Sequence, residues 1–345
     1  MSRLHLTNGD ATVERMRRGG MDGRIVPWRD VLHEGPIPAG LDLDAMSRVR
    51  ARYIADCGWA DPKNALAGFR ARDAALKRFA RYDEVVLWFE HDLYDQFQVL
   101  QLLDWFSGQS TAMTKIGMIC IDGYPGVPEF QGLGVLSADQ LVSLDGSQTA
   151  VTQSQFELGR RAWTAVSAPD PVAIEHVLDS DIHALPYLGS ALERHLRQFP
   201  SRQTGLALTE RHLLEAVAAG ATVPDRIFAA AQDREESRFM GDWTFWQYMG
   251  RLCTGERPLL RCDGGSSFRA AWEFGTSWQD INRSEFNAQR LSLTAAGEQV
   301  LCGNLDWSRL QPPDRWLGGV HLSRKTASWR WDEHRQRLRQ VDEVS

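Results

Sequence analysis

The chain lacks most signatures that announce a reaction. It has no HExxH, no Cys/His zinc spacing and no GxSxG nucleophile elbow. Its opening strand–turn–helix carries one turn glycine, Gly9, and is neither GxGxxG nor a P-loop. The five cysteines, Cys57, Cys120, Cys253, Cys262 and Cys302, are odd in number and form no CxxC pair. They argue against a disulfide framework and for free thiols in a reducing, cytoplasmic setting. No apolar run approaches the length that spans a bilayer, so no membrane partner is expected. Charges at Asp10, Glu14, Arg15, Arg17 and Arg18 interrupt any signal-peptide core. A basic excess is missing too. The formal net charge is -6, which does not favour nucleic acid as a partner.

What is present is an ordinary globular balance over 345 residues, more than one hydrophobic core comfortably serves. Two domains are expected. Residues 1–150 read as an α/β domain, Rossmann-like in the broad sense. Apolar strands at Leu4 to Thr7, Arg24 to Trp28, Glu84 to Phe89 and Lys115 to Ile121 alternate with helical stretches, the pattern of a parallel sheet. Residues 44–81 read as helical with a break near Gly58 to Pro62. A stretch rich in Gly, Pro and Ser follows Asp122 and runs to about Gln155.

Residues 151–345 read as a mostly helical domain with short strands. Helices are expected over Leu185 to Phe199, over Leu208 to Gly220 with Thr209 as N-cap, over Pro224 to Arg238 and over Thr244 to Cys253. Strands at Pro258 to Cys262 and Leu291 to Leu293 then complete the element order of a winged helix. Most of the 13 tryptophans fall in this half, where core building explains them better than a ligand cage. A partner interface is the other use for them. Gly318-Gly319 permits close backbone approach, to another element or to a ligand. Arg324, Arg330, Arg335, Arg337 and Arg339, balanced by Asp332, Glu333, Asp342 and Glu343, read as a solvated helix face.

Ligands bind at the carboxyl ends of the strands of an open parallel sheet. The polar residues of the first domain fall at those junctions. Asn8, Gly9 and Asp10 follow the first strand, and Asp30, His33 and Glu34 the second. Glu90, His91, Asp92 and Asp95 follow the third, and Asp122 the fourth. Asp10, Glu34 and Glu90 are the acid–base candidates. His33 and His91 are candidate proton carriers, or, with Asp92, ligands of a divalent metal. Asn8, Gly9, Asp30, Asp92, Asp95 and Asp122 are candidate ligand-binding groups. Plainer roles compete. Asp92 can cap the following helix with Asp95 in its first turn, and Asp10 can cap the first helix. Glu90, His91 and Asp92 cannot all face one way if extended. Cys120, inside a strand, reads as a small buried apolar residue.

Three strings carry a resemblance: Leu4 to Asp10, Trp28-Arg29-Asp30-Val31-Leu32-His33-Glu34-Gly35-Pro36 and Leu87-Trp88-Phe89-Glu90-His91-Asp92-Leu93-Tyr94-Asp95-Gln96. They are similar to bacterial proteins grouped as domain of unknown function 1835. The likeness covers residues 1 to about 130. Phe239 to Trp243 and Asp314 to Gly319 look like the C-terminal part of full-length members. The resemblance implies no activity and carries over no catalytic residue. The residues themselves lead to an enzyme acting on a small polar ligand (a nucleotide, nucleoside or sugar) at the strand ends. The alternative is a regulatory or nucleic-acid-binding protein that uses the second domain.

Overall fold

A computed structural model describes residues 1–274, 281–323 and 328–341. The chain divides into two compact units, Met1–Glu193 with Trp316–Val320, and Arg194–Arg315 with His321–Ser345.

The first unit opens with β1 (Arg3–Thr7), α1 (Asp10–Arg18), β2 (Arg24–Pro27) and the short β3 (Gly35–Pro36). Two helices follow, α2 (Leu43–Asp56) and α3 (Pro62–Leu76), with the expected break between them. Asp42 and Asp61 start them by accepting first-turn N–H groups. Then come β4 (Glu84–Glu90), α4 (Leu93–Ser107), β5 (Lys115–Ile121), α5 (Ala138–Ser143), β6 (Thr149–Ala150), α6 (Gln153–Ser167), α7 (Val172–Leu178) and α8 (Leu188–Leu196, whose last three residues belong to the second unit). The main sheet has the order β2-β1-β4-β5-β6, parallel except for β6. It is the α/β, Rossmann-like arrangement expected. β4 is central and buried along nearly its whole length. On one face Val86 and Trp88 pack with Val13 and Met16 of α1 and with Leu133, Leu136 and Leu141. Each such side chain contributes about 1.5–3 kcal/mol when fully buried. The helix α4 buries residues all round its axis, as a core helix does.

The first unit is larger than the composition shift near residue 150 suggests. The reason is packing: Gly159 of α6 lies so close to Leu103 of α4 that a Cβ there would overlap the leucine. Within the Gly-Pro-Ser stretch lie α5, whose Leu141 packs with Val13 and Met16 of α1, and β6, the edge strand of the sheet. Trp316–Val320 also belongs to this unit. Leu317 and Gly318 pair in parallel with Gly35 and Pro36. Gly318 and Gly319 press on the carbonyls of Val166 and Ser167, and Gly319 N–H donates to Val166 O at 2.8 Å. Close approach to α6 explains that glycine pair.

The second unit contains α9 (Leu208–Ala218), α10 (Pro224–Gln232), α11 (Asp242–Leu252), β7 (Leu260–Cys262), α12 (Arg283–Phe286), β8 (Leu291–Leu293), α13 (Ala295–Leu301), α14 (Trp307–Leu310), β9 (Arg315–Gly318, whose last three residues belong to the first unit), β10 (Val320–Leu322, whose first residue belongs to the first unit), β11 (Ser328–Asp332) and β12 (Arg337–Val341). Three helices followed by the antiparallel pair β7–β8 keep the element order of a winged helix. Thr209 is not the N-cap of α9. The Glu210 carboxylate accepts from Ala207 N–H at 2.8 Å, and Thr209 Oγ1 donates to Gln198. Nor is the arginine-rich tail a helix: β11 and β12 form an antiparallel hairpin because Trp329, Arg330 and Trp331 alternate across a strand. Arg324, Asp342 and Glu343 lie outside the described residues.

Candidate functional site

The strand order places the crossover reversal between β1 and β4. From β1 the chain passes to β2 on one side, and it returns to β4 on the other. That switch point is where an open α/β sheet forms a ligand crevice. Asn8 stands at the end of β1 and bridges it. Its Nδ2 donates to Glu90 Oε1 at 2.8 Å and to Asp95 Oδ2 at 3.2 Å. Side chains alternate along β4, so Glu90 follows Val86 and Trp88 to the face shared with Leu133.

Glu90, Asp92 and Asp95 each present a carboxylate oxygen here, and the three oxygens lie within 4.8 Å of one another. All three residues are buried, Asp95 completely. Local structure explains how they meet. Asp92 is the N-cap of α4 and accepts from Asp95 N–H at 2.9 Å. Asp95, one turn in, reaches back and accepts from Glu90 N–H at 2.7 Å. Asp95 Oδ1 is fully buried and has no hydrogen-bond partner among the described residues. A bare carboxylate oxygen in that position is costly unless a proton or a cation meets it. Burial, then the charges of Glu90 and Asp92, hold the Asp95 carboxyl well above the usual range. Burial and the charge of Asp92 likewise push Glu90 up, against hydrogen bonds from Leu133 N–H and Asn8.

The segment Gly132–Leu136 covers the cluster. Leu133 N–H donates to Glu90 Oε1, and Arg15 holds the carbonyls of Gly134 and Leu136. Gly132 has φ +115, and a Cβ there would overlap the Glu90 carboxylate. Gly132→Ala is therefore expected to push this cover off Glu90, lowering the melting temperature by several degrees in a thermal scan. An unchanged melting temperature would show that the cover is not packed as described.

The other sequence candidates stand elsewhere. Asp30 is buried and committed to an ion-pair centre: Arg50 Nε donates to it at 2.9 Å and Arg72 lies at 3.6 Å. Arg50 also donates to the carbonyls of Val31, Glu34 and Pro36, so it shapes the whole loop. Arg72 stacks on Trp28, its guanidinium carbon 3.9 Å from the ring centroid. Asp30 is thus a structural anchor rather than a ligand group. Asp10 is exposed and paired with Arg29; the N-cap of α1 is Gly9. Glu34 is buried, and its charge, after burial, raises the Tyr53 hydroxyl. His33 is buried with its ring edge-on to Tyr94 at 5.8 Å. His91 lies against Phe130 and Tyr187 and is not part of the carboxylate cluster. Asp122 is exposed and acts on His91 and Tyr187.

Among the described residues, the group that could hold a metal contains no histidine. Of the three metal ligands expected, only Asp92 belongs to it. Cys120 is, as read from its strand position, an inert thiol: burial pushes it up to about 12. Leu133 N–H, Gly132, Arg50 and Arg72 are the functional or supporting groups that sequence reasoning misses. The glycine alone leaves a trace, as the first glycine of Gly132-Leu133-Gly134 in the stretch rich in Gly, Pro and Ser. Comparison with family models and with curated proteins found no match to this chain.

Proposed function

We propose that the first unit is an enzyme acting on a small polar ligand at the β1–β4 switch point, assisted by a hard divalent cation on Glu90, Asp92 and Asp95. One observation carries this reading: three buried carboxylate oxygens within 4.8 Å of one another at the sheet's ligand-binding edge. An all-oxygen anionic set suits Mg²⁺, Mn²⁺ or Ca²⁺ rather than zinc, which favours nitrogen and sulfur. The bare Asp95 Oδ1 is the natural extra ligand. A cation held by Glu90, Asp92 and Asp95 would supply Lewis-acid chemistry, polarising an oxygen of a bound molecule or activating a water. Asn8 fixes Glu90 and Asp95 in place. The likeness to the domain of unknown function 1835 strings and a cytoplasmic location belong to the same proposal. Five free cysteines accord with that location, and no helix among the described residues is long and apolar enough to cross a membrane.

The nucleic-acid alternative is the weaker reading. In a winged helix α11 would enter the groove. Here Thr244, Phe245, Trp246, Tyr248, Met249 and Leu252 of α11 are buried, and its arginine, Arg251, pairs with Glu210.

The test is a thermal scan of chelator-treated protein with Mn²⁺ or Mg²⁺ added back. At about a hundred times its dissociation constant a cation adds about 2.7 kcal/mol. The melting temperature is expected to rise by several degrees in the wild type and not in Asp95→Asn. Equal shifts in both proteins, or none in either, would overturn the assignment.

A further inference from the structure

A cavity of about 230 Å³ lies beside β5 in the first unit. Val99, Met118 and Leu185 form apolar wall. The Gln96 and Gln155 amides and the Tyr187 ring supply its polar and aromatic groups. One side chain ties the cavity wall to the backbone of Glu90. Gln96 Nε2 donates to Glu90 O at 2.7 Å and to Cys120 Sγ at 3.3 Å, and Cys120 lines the same cavity. Glu90 is itself paired with Ile121, the next wall residue, in the β4–β5 register.

We infer that this cavity takes the base of a nucleoside or nucleotide, which makes that compound the substrate class of the neighbouring carboxylate site. This inference rests on the function proposed above. The volume falls below the ~300–1,000 Å³ of pockets for drug-sized ligands, so it suits a single ring system. Apolar walls with an aromatic side chain match the faces of a planar heterocycle. Gln155 Oε1 caps α6 and Gln96 Nε2 is bonded to Glu90 O and Cys120 Sγ, so Gln96 Oε1 and Gln155 Nε2 are the acceptor and the donor offered to its edge. A free sugar, with hydroxyls on every side, would leave groups unpaired against Val99, Met118 and Leu185. Cys120, its thiol protonated at neutral pH, adds a small inert surface. No reacting group of the cluster needs to face the cavity. In this proposal the base would be held here and the rest of the molecule would lie along the strand ends, where Glu90, Asp92 and Asp95 would hold the cation.

Adenosine and ribose are the probes, titrated calorimetrically into the full chain in chelator, so that the cation plays no part. Thr149 is exposed at the cavity and pairs with Met118, so Thr149→Trp fills the cavity without touching the core. Pro186→Trp, also at an exposed wall residue, is the second variant should the first fail to fold. Adenosine is expected to bind the wild type and ribose not, with affinity for adenosine falling at least about tenfold in the variant. Absence of adenosine binding, or binding unchanged by both filled cavities, overturns the inference. The Mn²⁺ shift is read in the same proteins. If it persists while adenosine fails to bind, the cavity inference falls and the cation reading stands. Adenosine binding without any Mn²⁺ shift removes the cation and keeps the cavity.

Discussion

Arg50→Met is expected to cost about 3–5 kcal/mol of folding stability, the largest effect of any single substitution considered in the first unit. Arg50 is fully buried, and its guanidinium makes four hydrogen bonds, to the Asp30 carboxylate and to the carbonyls of Val31, Glu34 and Pro36. Truncation leaves Asp30, also fully buried, with only Arg72 at 3.6 Å for its charge. It also removes the guanidinium donor from the carbonyls of Val31, Glu34 and Pro36, which turn the chain from β2 into β3; the Val31 carbonyl keeps Glu34 N–H at 3.0 Å. An uncompensated buried charge and lost carbonyl hydrogen bonds both act in the same direction. Arg50→Lys is expected to recover little, because one ammonium cannot span the planar fork of acceptors. Urea denaturation reads the result. A loss below about 1 kcal/mol would place this network among the weak surface-type pairs and remove Asp30 as the loop's anchor.

Chelator-treated protein should lose stability as pH rises from about 4 toward 8. The ordinary carboxyl values are 3.8 for Asp and 4.5 for Glu, whereas burial first raises Asp92 to about 7 and Glu90 to about 8, and holds Asp95 well above its ordinary value. In that window the folded chain holds protons that the unfolded chain has released. Stability therefore falls with pH through the window and is lowest once the folded groups ionise. Every tenfold gain in proton affinity on folding is worth about 1.4 kcal/mol, so these three carboxyls dominate the pH dependence of stability in this window. Glu90→Gln keeps the acceptor oxygen used by Asn8 and Leu133 while removing one charge, so it should flatten the profile and raise stability near pH 8. Melting temperatures measured across the range in chelator decide the point. A wild-type profile that rises with pH, or one that Glu90→Gln leaves unaltered, would contradict the arrangement of the three carboxylates.

The legible part of this site is the part encoded locally. Glu90, Asp92 and Asp95 fall within one strand-to-helix junction, and capping chemistry places Asp92 and Asp95 without knowledge of the rest of the fold. Asn8 is within reach of sequence reasoning because strand ends converge in a parallel sheet. What stays hidden depends on contacts across long separations. Arg50 and Arg72 lie on helices whose sequence gives no hint that they are buried; only the fold brings them onto Asp30. Leu133 acts through its backbone N–H, which no residue type records. The limit of the first unit is obscured because Gly159, to all appearances an ordinary helix residue, is the small contact that lets α6 join α4. In the tail, charge balance speaks for a helix while the alternation of Trp329, Arg330 and Trp331 speaks for a strand, and pairing across β11–β12 decides it.

The most direct test of the cation site is isothermal titration of Mn²⁺ into chelator-stripped protein at neutral pH, in two buffers of different ionisation heat. A site built from carboxyls held above their usual range must release protons when the cation enters. The predicted result is saturable binding with proton release, lost in Asp95→Asn and in Glu90→Gln. Absence of binding in the wild type, or binding that both variants retain, would contradict the account.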